Sequence, residues 1–168
     1  MTVKERTTFV NGHAPDPIDR KILALLQDNA KMSQAEVAKV VGLTAPSVNE
    51  RIRKLERAGY IRGYVALLDD KKLGHDITAF VEVFVEHPKF EQEFIQAVEG
   101  LDEVLECHHI TGEFSLLLKV RVSDLAALQE LLLTKLNSFE GVRQTRTVMV
   151  LSTVKEDSYV PTGARGES

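Results

Sequence analysis

The chain has 168 residues, of which 43% are hydrophobic and 27% are charged, a composition typical of globular proteins and sufficient for two small domains. No apolar run approaches the ~20 residues of a membrane-spanning helix, and the first residues lack the apolar core of a signal peptide. The single cysteine, Cys107, excludes an internal disulfide bond. We therefore expect a protein of the cytoplasm.

The net charge of −4 is distributed unevenly along the chain. Residues 1–63 hold 11 Lys and Arg against 7 Asp and Glu, a net of +4, whereas residues 64–168 hold 10 against 18, a net of −8. A basic first third and an acidic remainder indicate two modules, of which only the first is suited to phosphate. The acidic total therefore does not exclude a nucleic-acid partner.

Three helices are predicted in the basic part of the chain. The first begins after the capping residue Asp16, because Pro17 is well tolerated at the first helical position. The second begins after Ser33, which has capping-box spacing to Glu36, and it ends at Gly42, which can adopt a left-handed conformation. A short glycine-centred turn leading into a third helix is typical of a helix-turn-helix unit.

The third helix carries the residues predicted to meet DNA. It follows the cap Thr44 and ends at Gly59, and Val48, Ile52 and Leu55 recur at the spacing of a buried stripe. The rest of the helix has small or polar residues near its start, which suit base edges, and basic residues later, which suit phosphates. The candidate DNA-binding residues are Thr44, Ala45, Pro46, Ser47, Asn49, Glu50, Arg51, Arg53, Lys54 and Arg57.

Two questions stay open for this helix, one about its basic residues as a group and one about Arg51. The basic residues of a helical hairpin can simply face water, without a nucleic-acid partner. Arg51 lies nearest the buried edge of the helix, so its role is either to support the fold or to reach a phosphate.

The stretch after Gly59 predicts short extended segments at 60–61 and 64–68. One interpretation is a linker strand between two domains, which we favour. The other is a small wing, or a strand that ties two subunits together.

The acidic part of the chain predicts a second domain of alternating strands and helices. Residues 77–86 alternate with period two, as a strand does. The order that follows is β-α-β-β-α-β, the split βαβ or ferredoxin-like pattern, with two helices on one face of the sheet. The predicted elements are strands at 77–86, 104–110, 115–122 and 142–154, and helices at 88–100 and 124–141, the latter with Leu125, Leu128, Leu132 and Leu136 facing inward.

The second face of this predicted sheet carries Phe80 and Phe84 beside charged residues. An apolar sheet face that its own helices leave uncovered usually finds a partner. The simplest partner is a second copy of the chain with two-fold symmetry. Such a homodimer would present two recognition helices to half-sites about 34 Å apart.

Two motifs stand in order along the chain. Residues 33–44 followed by 51–59 form the helix-turn-helix motif, and residues 106–112, ECHHITG, run into the strand at 118–120. With these motifs the chain resembles the Lrp/AsnC family, the feast/famine transcription regulators of bacteria and archaea, from Pro17 to about Lys155.

The resemblance implies an α+β fold. An N-terminal winged helix-turn-helix domain is followed by a ferredoxin-like βαββαβ effector (RAM, ACT-like) domain. The expected boundaries are a disordered tail at 1–14, the DNA-binding domain at 15–63 with its motif at about 34–53, a linker strand at 64–76, the ligand-binding and dimerisation domain at 77–156, and a flexible tail at 157–168.

The resemblance also implies a sequence-specific regulator that is not an enzyme. Such proteins form dimers by packing sheet against sheet, and they often assemble further into tetramers or octamers. An amino acid or related small molecule binds between dimers and changes assembly or DNA affinity. No other cofactor is implied.

By carry-over, Thr111, Gly112, Glu113 and Ser115 would be the effector-binding residues. Gly112 allows a close backbone approach, and turn amides suit a carboxylate. Many family members have an aspartate where this chain has Ser115, and a serine cannot pair with a ligand's ammonium group. The site is therefore expected to prefer a different ligand or to have lost its response.

Other chemistries are not expected from the remaining motifs. Cys107 and His109 share one face of a predicted strand while His108 points away, and two ligands fall short of a zinc site. No pair of close carboxylates, phosphate loop or nucleophile motif indicates an enzyme. The alternatives to a ligand-responsive regulator are an architectural DNA-binding protein and a small-molecule-binding regulatory subunit of an enzyme.

Overall fold

The computed structural model of the protein describes residues 14–163. They form two compact units, one of residues 14–67 together with 157–163, and the other of residues 68–156. The disordered tail predicted at 1–14 lies almost wholly outside the described residues. No helix among the described residues is long and apolar enough to cross a membrane.

The first unit contains three helices, α1 (Pro17–Asp28), α2 (Gln34–Val41) and α3 (Ala45–Arg57). The predicted caps are confirmed, since the side chains of Asp16, Ser33 and Thr44 each accept a hydrogen bond from a backbone N–H in the first turn of the next helix. Gly42 ends α2 with a φ of 73°, which a glycine adopts without strain. The helices enclose a small core of Ile22, Val37, Ala38, Val48 and Leu55.

The second unit is a four-stranded antiparallel sheet with helices on one face. Its spatial strand order is β2-β3-β1-β4, so the predicted ferredoxin-like order is confirmed. The elements are β1 (Ile77–Val85), α4 (Pro88–Val98), β2 (Val104–His109), β3 (Leu116–Val122), α5 (Leu125–Glu130) and β4 (Val142–Met149). The core between sheet and helices includes Val81, Val83, Phe94, Leu116, Leu118, Leu131 and Leu136.

The second helix of this unit differs from the prediction. After Glu130 it widens into a π-helical turn at Leu131–Leu136. Because a π turn bonds residues five apart, Leu131 and Leu136 both reach the core. Leu128 is buried as predicted, but Leu125, at the first helical position before the buried face begins, is 62% exposed.

The extended segments also differ from the prediction. Residues 64–68 form no strand and take no part in the four-stranded sheet of the described chain, and a 3₁₀ turn follows at Lys71–Leu73. β4 ends at Met149 rather than at residue 154. The last backbone hydrogen bond between β4 and β1 joins the N–H of Val150 to the carbonyl of Thr78. Thr78 lies near the start of β1, so β4 has no partner strand among the described residues beyond this point.

The described part of the tail predicted to be flexible at 157–168 is bound to α1. The N–H of Val160 donates to Oε1 of Gln27 at 2.8 Å, and Nε2 of Gln27 donates to the carbonyl of Val160 at 3.0 Å. The Gln27 amide thereby pairs with both polar backbone groups of one residue. This pairing places residues 157–163 in the DNA-binding unit.

Candidate nucleic-acid interface and effector turn

The exposed side of α3 is polar and basic. Residues Pro46, Glu50, Arg53, Lys54 and Arg57 are exposed. Within residues 14–163, none of the three basic side chains takes part in an ion pair, so their charges remain available to an anionic partner. Positively charged side chains in one row along a helix suit the regularly spaced phosphates of a DNA backbone.

The start of α3 is ordered by local hydrogen bonds. The hydroxyls of Thr44 and Ser47 lie 2.9 Å apart, and the backbone N–H of Ser47 donates to the Thr44 hydroxyl at 3.4 Å. Ala45 is half-buried, and so is Asn49, whose side-chain oxygen accepts a hydrogen bond from Nε2 of Gln34 on α2 at 2.9 Å. The small and polar candidates therefore lie together where α2 and α3 begin.

Arg51 is engaged inside the DNA-binding unit, unlike the other basic residues of α3. Its Nη1 atom lies 2.7 Å from a carboxylate oxygen of Asp16 and 2.7 Å from one of Asp19, at the start of α1. The backbone N–H of Asp19 and then the Arg51 guanidinium lower the pKa of Asp16, and both carboxylates raise the pKa of Arg51. Of the two interpretations of Arg51, this geometry favours support of the fold.

The candidate effector turn joins β2 to β3. Thr111, Gly112 and Glu113 are exposed, and Gly112 has a φ of 123°, which side-chain-bearing residues rarely adopt. The N–H of Ile110 donates to the carbonyl of Ser115 at 3.0 Å and closes the turn. The peptide groups at the tip are therefore open to an incoming ligand.

The Ser115 side chain is occupied within the sheet. Its hydroxyl donates to the carbonyl of Val83 at 3.3 Å and accepts from the N–H of Val85 at 3.4 Å. These backbone groups belong to β1, next to an irregularity in its pairing with β4. Ser115 thus supports the strand at the base of the turn instead of presenting a charge to the tip.

A charged group that the sequence motifs did not reveal lies beside this turn. The Arg146 guanidinium carbon on β4 is 5.1 Å from the ring centre of Phe114, and its Nε donates to a carboxylate oxygen of Glu82 on β1. Glu82, and more weakly Glu113, raise the pKa of Arg146. The usable signal in the sequence was the opposite charge of Glu82 and Arg146 on two predicted strands of one sheet.

Comparison with known proteins gives two family models that together span most of the chain. A winged helix-turn-helix DNA-binding model matches residues 15–62, and a Lrp/AsnC ligand binding domain model matches residues 78–160. The leucine-responsive regulatory protein of Escherichia coli (strain K12) is 41% identical over 149 residues, which cover 88% of this chain and 91% of that protein. The chain belongs to the Lrp/AsnC family.

Two solved structures share this fold. Escherichia coli AsnC superposes with a TM-score of 0.83 at 31% identity, covering 88% of this chain and 99% of AsnC. The transcriptional regulator NMB0573 of Neisseria meningitidis, in complex with L-Met, gives a TM-score of 0.84 at 31% identity, covering 87% and 96% of the two chains. The protein is thus a DNA-binding regulator of the Lrp/AsnC type with an amino acid ligand-binding domain, as the sequence motifs predicted.

In this Lrp/AsnC regulator Cys107, His108 and His109 lie in strand β2 of the sheet. Cys107 packs half-buried against the core, and burial raises the pKa of its thiol. His108 pairs with Glu106 at 3.0 Å, and His109 with Glu91 at 3.2 Å. Residues 14–163 contain no group of three or more potential metal ligands.

Proposed function

We propose that the protein binds operator DNA sequence-specifically through α3, as a regulator that responds to an amino acid or related small effector and has no enzymatic role. The observation that carries the proposal is the exposed row of Arg53, Lys54 and Arg57, unpaired within the described residues, behind a capped helix start. We infer the cytoplasm as its place of action, because its leucine-responsive relatives are bacterial regulators and chromosomal DNA is the inferred partner.

In this proposal the two halves of α3 have different partners. The first turns, with Thr44, Ala45, Pro46, Ser47, Asn49 and Glu50, approach base edges in the major groove, and the later turns, with Arg53, Lys54 and Arg57, contact phosphates. Arg51 contributes indirectly, by holding α3 against the start of α1.

The DNA proposal is tested with Arg53→Ala. DNA that the wild-type protein enriches from a random pool serves as the ligand, and affinities are measured by fluorescence anisotropy across a salt series. Loss of one phosphate contact is expected to lower the slope of log affinity against log salt by about 1, and loss of a base contact to cost ~1–3 kcal/mol. Lys72→Ala, which removes the same charge from the other unit, is the control and is expected to bind like the wild type. Equal affinities for Arg53→Ala and Lys72→Ala would remove Arg53 from the interface.

We propose that the effector binds at the turn formed by Thr111, Gly112 and Glu113, with Ser115 supporting it from below. The open turn amides suit a carboxylate. The positive charge of Arg146 also lies beside the turn, with its guanidinium carbon 5.1 Å from the ring centre of Phe114. Two relatives support an amino acid as the effector, since one is named leucine-responsive and another was solved with L-Met.

The effector proposal is tested by calorimetry and light scattering with a panel of the twenty amino acids. At least one of them is expected to release or absorb heat and to change the molecular mass. Gly112→Asp is expected to remove this response while the protein remains assembled, because a residue with a side chain is strained at a φ of 123° and the backbone of the turn would change. A wild-type protein that responds to none of the twenty amino acids would exclude an amino acid as the effector.

We further propose a homodimer formed through the sheet face that the helices leave uncovered, and the assembly of such dimers into a tetramer or octamer. Phe84 is 37% exposed on this face and Val148 is 51% exposed, while Phe80 beside them is half-buried. A second copy would cover this apolar surface. Phe84→Glu is expected to shift the mass measured by light scattering toward the monomer, and an unchanged mass would exclude this face.

An architectural protein without effector response is the second candidate. The observation that favours it is the Ser115 hydroxyl, which is committed to β1 and carries no charge to pair with an ammonium group. Weak sequence preference together with a steep salt dependence would favour this candidate over a sequence-reading regulator.

A further inference from the structure

One side-chain hydrogen bond links the two helices of the helix-turn-helix motif at the proposed DNA surface. Gln34 is the first residue of α2, and its Nε2 donates to Oδ1 of Asn49, in the second turn of α3, at 2.9 Å. Gln34 is exposed and Asn49 is half-buried on the flank of the exposed side of α3.

This hydrogen bond leaves most of the Asn49 amide available. A primary amide has two N–H donors and two acceptor lone pairs on its oxygen. Gln34 uses one lone pair of Oδ1, so the Nδ2 donors and the second lone pair remain. A donor and an acceptor on one amide plane are what the major-groove edge of adenine requires, because its N7 accepts and its N6 donates.

We propose that Gln34 is a positioning residue that fixes the amide plane of Asn49 so that Asn49 reads an adenine in the operator. An unrestrained asparagine amide can rotate and exchange its donor and acceptor sides. The hydrogen bond from Gln34 to Oδ1 restricts this rotation before DNA arrives, and the entropy lost on binding is smaller. The inference rests on the proposed binding of operator DNA by α3 and adds the base class and the residue that selects it.

The test uses the full-length protein and the DNA that the wild type enriches from a random pool. Every adenine of the enriched sequence is replaced in turn, and affinities are measured by competition. For the wild type, one adenine of each half-site is expected to be preferred over other bases by about 5- to 150-fold. Asn49→Ala is expected to remove that preference at the same position only.

Gln34→Met keeps the length of the side chain and removes the amide. It is expected to lower the adenine preference at least about threefold, while affinity for unrelated DNA stays within about twofold of the wild type. In the Asn49→Ala background, Gln34→Met is expected to have no further effect, because its only target is gone. Gln96→Met, the same replacement at an exposed position of α4, is the control and is expected to retain the wild-type preference.

Three results would overturn the inference. They are a full adenine preference in Gln34→Met, a full preference in Asn49→Ala, and additive effects in the double variant. A Gln34→Met protein with a lower melting temperature and an unchanged preference would show that the bond only joins α2 to α3. Failure of the underlying DNA proposal has a different signature, since then the wild type would enrich no sequence and Arg53→Ala would bind like Lys72→Ala.

Discussion

Replacing Arg51 with alanine tests whether this residue serves the fold or the DNA. In the wild type its guanidinium joins α3 to the first turn of α1 through Asp16 and Asp19. Asp19 is a buried charged residue, with a side chain only 5% exposed. Arg51→Ala therefore leaves a carboxylate in the interior without its cationic partner.

The loss of stability expected for Arg51→Ala follows from how exposed the side chains of Arg51, Asp16 and Asp19 are. Removing one partner of a fully buried ion pair costs about 3–5 kcal/mol, whereas exposed pairs contribute about 0–1 kcal/mol. Asp19 resembles the first case, but Arg51 and Asp16 are 31% and 33% exposed, and water reaches them. We expect Arg51→Ala to lower the free energy of unfolding by about 2 kcal/mol.

Urea unfolding followed by circular dichroism measures this loss, and its pH dependence adds a second signature. The pKa of Asp16 is lowered in the folded protein, first by the backbone N–H of Asp19 and then by Arg51. A carboxyl with a lowered pKa contributes stability that is fully present above its unfolded value of about 3.9 and is lost as the pH falls through the folded value. The gap between wild type and Arg51→Ala should therefore be full at neutral pH and narrow below about pH 4.

Two companion variants separate the explanations. Asp19→Asn in the Arg51→Ala background removes the orphaned charge and is expected to recover part of the stability. The Arg53 side chain is exposed, so Arg53→Ala is expected to change the free energy of unfolding by less than about 0.5 kcal/mol. A structural role for Arg51 would be refuted if Arg51→Ala unfolded like the wild type and lost as much DNA affinity as Arg53→Ala.

Three further predictions concern other parts of the chain. Gly141→Ala is expected to cost about 3 kcal/mol in a thermal melt, because the residue has a φ of 89° and a new Cβ would overlap Phe90; a melt like that of the wild type would contradict it. Gln27→Ala is expected to cost about 1 kcal/mol by releasing the tail, unless removal of the tail proves harmless. Cys107 is expected to react with a disulfide reagent much more slowly in the native state than in urea, since burial raises the pKa of its thiol; equal rates would argue against its burial.

Much of the fold was predictable because its signals are local. A capping residue and its partner stand three positions apart, so Ser33 and Glu36 mark the start of α2 in the sequence itself. A buried stripe such as Val48 and Leu55 repeats within one helix. The strand order followed because period-two and helical segments alternate in a pattern that few topologies satisfy.

The features that the sequence did not reveal depend on distant partners or on backbone groups. Arg51 meets Asp16 across 35 residues, and a wheel drawn for α3 alone shows only that Arg51 lies near the buried edge. The Ser115 hydroxyl and the Gln27 amide bond to main-chain atoms of β1 and the tail, which have no signature in a sequence. Sequence motifs therefore predicted where the candidate site lies, whereas the contacts of its individual side chains became visible only in the structure.

The pairing of Gln27 with residue 160 makes the effector unit an insertion within the DNA-binding unit. The chain leaves the first unit after Leu67 and re-enters it at Asp157. A single proteolytic cut at either crossing would consequently leave the two units covalently joined through the other, and only two cuts would free the effector unit. A DNA-binding fragment that ends at Leu67 would also lack the two hydrogen bonds of Val160, so it would be less stable than the same helices in the intact protein.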